Sequence, residues 1–118
     1  MARLSTHVLD TSLGMPAAGI IVELRLVTAD ERRLLATSVT NADGRTDAPL
    51  LSADRLEVGV YELTFRVGDY LRRGRAAPLP DPPFLGDIVV RVGIAEATGS
   101  YHVPLLLSPY GYSVYRGS

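Results

Sequence analysis

Residues 61–67, YELTFRV, set Tyr61, Leu63, Phe65 and Val67 in strict alternation with Glu62, Thr64 and Arg66. A helix would scatter those four apolar side chains around its circumference, whereas an extended strand gathers them on one face and leaves the polar three on the other. The same rhythm recurs on both sides of this stretch. Ile20, Val22, Leu24 and Leu26 alternate with Ile21, Glu23 and Arg25, and Ile88, Val90, Val92 and Ile94 alternate with Val89, Arg91 and Gly93. Turn formers punctuate the runs: GMPAAG at 14–19, TADE at 28–31, NADG at 41–44 and SPYG at 108–111. These signals predict one all-β domain over residues 1–118, a two-sheet β-sandwich of about eight strands in which one is a short segment near Arg45–Ala48. The exception is VGDYLRRGRAAPLPDPPFLGD, residues 67–87. Asp69 is placed to cap one short helix over Tyr70–Arg73, and prolines at 78, 80, 82 and 83 then enforce an extended loop.

Composition narrows the chemistry. The 118 residues carry 12 basic and 13 acidic side chains, a net charge of -1, with no basic patch to attract nucleic acid or an anionic membrane. The longest apolar runs, GIIVEL and VPLLL, are far too short to span a bilayer. The first residues lack the apolar stretch and small-residue cleavage site of a signal peptide, so a cytoplasmic location is the default expectation. Every basic residue is Arg and there is no Cys, which removes lysine Schiff bases, thiol nucleophiles, disulfides and thiolate metal sites. For acid–base work near neutral pH the chain has two imidazoles, His7 and His102.

Alternation also gives the direction of each histidine. In RLSTHVLDT, Leu4, Thr6 and Val8 share one face and Ser5, His7 and Leu9 the other. In SYHVPLLLS the core face is Tyr101, Val103, Leu105 and Leu107, which turns His102, Pro104, Leu106 and Ser108 outward. Near the end of the chain Ser113 and Tyr115 alternate with Tyr112 and Val114, and the first pair joins the outward set. Imidazoles and hydroxyls mixed with leucines suit a groove or a subunit interface better than a face meant for water. Two histidines without further ligands, at spacings unlike any metal motif, predict no metal.

Three segments, LSTHVLDTSLGMPA at 4–17, TNADGRTD at 40–47 and YHVPLLLSPYGYSVYRGS at 101–118, together resemble the transthyretin-like 5-hydroxyisourate hydrolases. The closing YRGS tetrapeptide marks the enzymes of that family and is lacking in the hormone carrier transthyretin. The resemblance implies catalytic roles for His7, Arg45 and His102 and a substrate-binding role for Tyr115, Arg116, Gly117 and Ser118. It implies hydrolysis of 5-hydroxyisourate to 2-oxo-4-hydroxy-4-carboxy-5-ureidoimidazoline in urate degradation, with no cofactor. It also implies a homotetramer with sites at the dimer–dimer interface. Which histidine acts as general base stays open. The rival is a non-enzymatic binding module, since transthyretin shares the fold. Val114 departs from the family's usual Thr, and the proline-rich loop is unusual at its position.

Overall fold

A computed structural model of the chain describes residues 2–73, 75 and 77–118. Eight strands and one helix follow in the order β1 (Arg3–Asp10), β2 (Met15–Pro16), β3 (Ile21–Val27), β4 (Arg32–Val39), β5 (Gly59–Arg66), α1 (Val67–Arg72), β6 (Asp87–Ile94), β7 (Ser100–Ser108) and β8 (Gly111–Val114). They form two four-stranded sheets, β2-β1-β7-β8 and β4-β3-β5-β6. The core between them is supplied by the inward positions that alternation picks out. Leu4 and Val8 on β1, Val22 and Leu24 on β3, Tyr61, Leu63 and Phe65 on β5, and Leu105 and Leu107 on β7 are essentially inaccessible to water.

One pairing positions the site. β1 and β7 run parallel, with Ser5 opposite His102 and His7 opposite Pro104, and every other strand pair is antiparallel. A parallel pair needs a long crossover, and here the whole second sheet is built between the two strands. Partners in register share a face, so the outward side of this sheet presents Ser5, His7 and Leu9 beside His102, Pro104 and Leu106.

Four expectations need correcting. The segment after Arg45 is no strand: Arg45 forms a single bridge to His7, and the eighth strand is Met15–Pro16, inside the stretch read as a turn. The helix begins at Val67, not Tyr70, so Asp69 lies in its first turn and Arg66 occupies the cap without a side-chain hydrogen bond. Its cause is that β5 runs straight into the helix with no loop for a capping residue to occupy. Tyr112, expected to face inward, stays half-exposed because β8 is the outermost strand of its sheet, while Val114 does pack against the core. Gly74 and Ala76 of the expected loop lie outside the described residues; residues 77–86 carry neither helix nor strand.

Candidate active site

The turn at 41–45 is folded by its own side chains. The Asn41 carboxamide oxygen accepts from the backbone N–H of Asp43 at 2.9 Å and of Arg45 at 3.2 Å, and its amide donates to Asp47 at 3.0 Å. Gly44 sits at φ +76°, and a Cβ there would collide with the Val8 carbonyl oxygen, so only glycine lets the turn approach β1. That approach is sealed by the Val8 N–H donating to the Gly44 carbonyl at 2.8 Å, and it sets Arg45 against His7.

The end of the chain arrives from the other side. The β7–β8 register, Leu106 opposite Ser113, continues past β8, since Gly117 bridges His102 and donates its N–H to the His102 carbonyl at 2.7 Å. A Cβ on Gly117 would stand 2.6 Å from His102 Cδ2, which gives the glycine of YRGS a steric reason. Arg116 turns the opposite way: its guanidinium lies over the Tyr101 ring, 4.4 Å from the centroid, and donates to the Ser100 carbonyl at 3.3 Å.

Between these elements lies a cavity of about 360 Å³ lined by Arg3, His7, Leu9, Arg45, His102, Pro104, Tyr115, Gly117 and Ser118. Of the seven site residues expected from the sequence, six line it. Arg116 does not, and borders instead an apolar cleft of about 290 Å³ with Val90, Val92, Tyr101 and Val114. Arg3 is an addition to the expected set. Alternation puts it on the His7 face, but an outward arginine looks like any solvated one until the fold gathers its neighbours. Among the described residues neither Arg3 nor Arg45 makes an ion pair, and no group of side chains could hold a metal ion.

The two imidazoles are held differently. His7 Nε2 lies 2.7 Å from the Asp43 carbonyl oxygen, which can only accept, so that nitrogen carries the proton. His102 Nδ1 lies 2.9 Å from the Ser5 hydroxyl. Burial, then the charges of Arg45, His7 and Arg3, push the His102 pKa below its ordinary value, because each disfavours the imidazolium. The cavity thus combines an imidazole whose charged form is disfavoured with two guanidiniums that make no ion pair among the described residues and can bind an anion.

Known proteins resemble this chain along almost its whole length. Residues 4–117 match the model of the HIUase/transthyretin family. The 5-hydroxyisourate hydrolase 2 of Rhizobium meliloti is 54% identical over 116 residues, an alignment covering 98% of this chain and 96% of the relative. The structure of Klebsiella pneumoniae 5-hydroxyisourate hydrolase superimposes with a TM-score of 0.80 at 39% identity over the full length of both chains. Transthyretin from Sparus aurata superimposes with a TM-score of 0.85 at 28% identity, over 99% of this chain and 97% of its own. The chain belongs to the HIUase/transthyretin family.

Proposed function

We propose that this protein is a 5-hydroxyisourate hydrolase and that the cavity between β1, β7 and the 41–45 turn is its active site. The observation that carries the reading is the convergence of His7, Arg45, His102 and the YRGS end on one small cavity, in a chain 54% identical to a hydrolase of that name. A carrier of hydrophobic molecules has no use for two imidazoles facing unpaired arginines, so the geometry favours the enzyme over the binding module.

The reaction opens a ring at an amide-type C–N bond. A water molecule loses a proton to an imidazole as its oxygen bonds to the carbonyl carbon, and the charge that develops on the carbonyl oxygen is met by the Arg45 guanidinium. The tetrahedral intermediate collapses with cleavage of the C–N bond, the ring nitrogen takes the proton back from the imidazolium, and the new carboxylic acid gives its remaining proton to solvent, leaving a ring-opened carboxylate. Tyr115, Gly117 and Ser118 wall the substrate, and Arg116 fastens that wall through Tyr101. No step requires a metal or cofactor.

The protein acts in this reading as a homotetramer whose sites lie at the dimer–dimer interface. Support comes from the outward face of the β1–β7 sheet, where half-buried Leu9 and Leu106 lie on the same side as exposed Tyr115, an apolar set that a second copy would cover. The test is the ultraviolet decay of freshly made 5-hydroxyisourate with and without the protein, on a preparation whose mass is measured by light scattering. Accelerated decay by a species of four chains is expected. Decay at the buffer rate would overturn the assignment of function, and an active monomer would overturn the interface.

A further inference from the structure

The bond between Ser5 and His102 has no part in the reaction as just described. Ser5 stands opposite His102 in the parallel register, with its Oγ 2.9 Å from Nδ1. Both residues are pinned by buried neighbours in their strands, Leu4 and Thr6 on one, Tyr101 and Val103 on the other. The second ring nitrogen, Nε2, has no hydrogen-bond partner among the described residues, yet no buried side-chain nitrogen is left unpartnered; Nε2 is therefore open to solvent. His102 borders both cavities, and its outward position beside Ser5 and Pro104 gives it to the one lined by Arg3, His7 and Arg45.

A serine hydroxyl can donate or accept, so the bond alone permits either tautomer of a neutral ring. The surroundings choose between them. A neutral imidazole is positive at its N–H and negative at its bare nitrogen. Arg3 and Arg45 line the same cavity with no ion-pair partner among the described residues, and a bare nitrogen facing them is favoured where an N–H would be repelled. The N–H then belongs on Nδ1, and the hydroxyl accepts.

We propose that Ser5 is a positioning residue: by accepting a hydrogen bond from Nδ1–H of His102 it holds that ring in the tautomer whose bare Nε2 faces the cavity, and so makes Nε2 the atom that takes the proton from water. The water O–H bond breaks toward Nε2 while its oxygen bonds to the carbonyl carbon, and the imidazolium later returns the proton to the departing nitrogen. His7 is held in the opposite tautomer by the Asp43 carbonyl, with its proton on Nε2. The two histidines thus start the reaction with different free atoms, which their like positions on two outward strand faces would never reveal. This assignment rests on the hydrolytic reading above.

The test uses full-length protein labelled with 15N-histidine. With only two histidines in the chain, long-range proton–nitrogen correlation spectra of the imidazoles at pH 8 are assigned by their loss in His7→Asn or His102→Asn. In the wild type, His102 should carry its proton on Nδ1 and His7 on Nε2. Ser5→Ala should move the His102 proton toward Nε2 and lower kcat by roughly 10- to 100-fold, the scale on which loss of a group that orients an imidazole acts, with little change in KM. Ser5→Thr, which keeps the hydroxyl, should restore both the spectrum and kcat. A wild-type His102 protonated on Nε2, or a Ser5→Ala variant with unchanged tautomer and rate, would overturn the proposal. Failure of the wild type to hydrolyse 5-hydroxyisourate would instead sink the reaction, and the spectra would still report whether Ser5 holds the ring.

Discussion

At His102, burial and the charges of Arg45, His7 and Arg3 all act against the imidazolium. The consequence is a base that survives in its working form to lower pH than a free imidazole. If His102 takes the proton from water, kcat/KM falls on the acid side as the ring protonates, with a midpoint below about 6.5. Arg45→Gln removes the largest of the charges, so the residual activity of that variant should show its acid midpoint moved upward. The pH–rate profiles of the two proteins check this; a wild-type midpoint above about 6.5, or one that Arg45→Gln leaves in place, would contradict it. At this scale the sequence was informative where residue type is unusual. Two histidines on outward positions and an arginine behind an Asn-Ala-Asp-Gly turn stand out as letters. Arg3 and Ser5 do not, because an outward arginine or serine is ordinary on a strand, and only the parallel register with β7 brings them to the imidazole.

The elements are tied together by a buried cluster that alternation cannot foresee. Asp10, the last residue of β1, is fully buried. Its carboxylate accepts from the Ser12 hydroxyl at 2.6 Å, the Ser12 and Leu13 amides at 3.0 and 3.2 Å, the Tyr70 hydroxyl of α1 at 2.7 Å and Arg75 at 3.0 Å. Burial works to raise the Asp10 pKa, but the hydrogen bonds from Ser12, Tyr70 and Leu13, with the charge of Arg75, outweigh it and hold the pKa below the ordinary value. Tyr70, pushed up to about 12 by burial and by Asp10, remains a donor throughout the neutral range. Arg75 is itself nearly buried, so Asp10→Ala would strand a charge, and a loss of roughly 3–5 kcal/mol of stability is expected. Denaturant unfolding measures it; a loss below about 1 kcal/mol, the scale of an exposed pair, would show that the cluster does not anchor the helix. Strands were legible because their period is local. The parallel partnership of β1 with β7 was not, since it joins residues nearly a hundred positions apart, and neither was β2, where two residues are too few to show a period.

Across the whole molecule the two sheets present unlike outer faces. The β4-β3-β5-β6 sheet is laced with ion pairs, Glu23 with Arg25 and Arg66, Arg66 with Asp87, and Glu62 with Arg32 and Arg91, as suits a surface left to solvent. On the other sheet the outward residues are Ser5, His7, Leu9, His102, Pro104 and Leu106, with no acidic group among them. The charge of the chain is spread almost evenly between signs in the sequence, yet the fold pairs arginines with carboxylates on one sheet and segregates Arg3, Arg45 and both imidazoles over one cavity of the other. That segregation underlies the claim that the cavity is the site of hydrolysis. The most direct test is the rate of 5-hydroxyisourate decay with the His7→Asn, His102→Asn double variant, measured beside its melting temperature. Loss of a positioned acid or base is worth roughly 10² to 10⁴ in rate, so the double variant should fall to near the uncatalysed decay while melting like the wild type. A folded double variant that still hydrolyses at the wild-type rate would contradict the account.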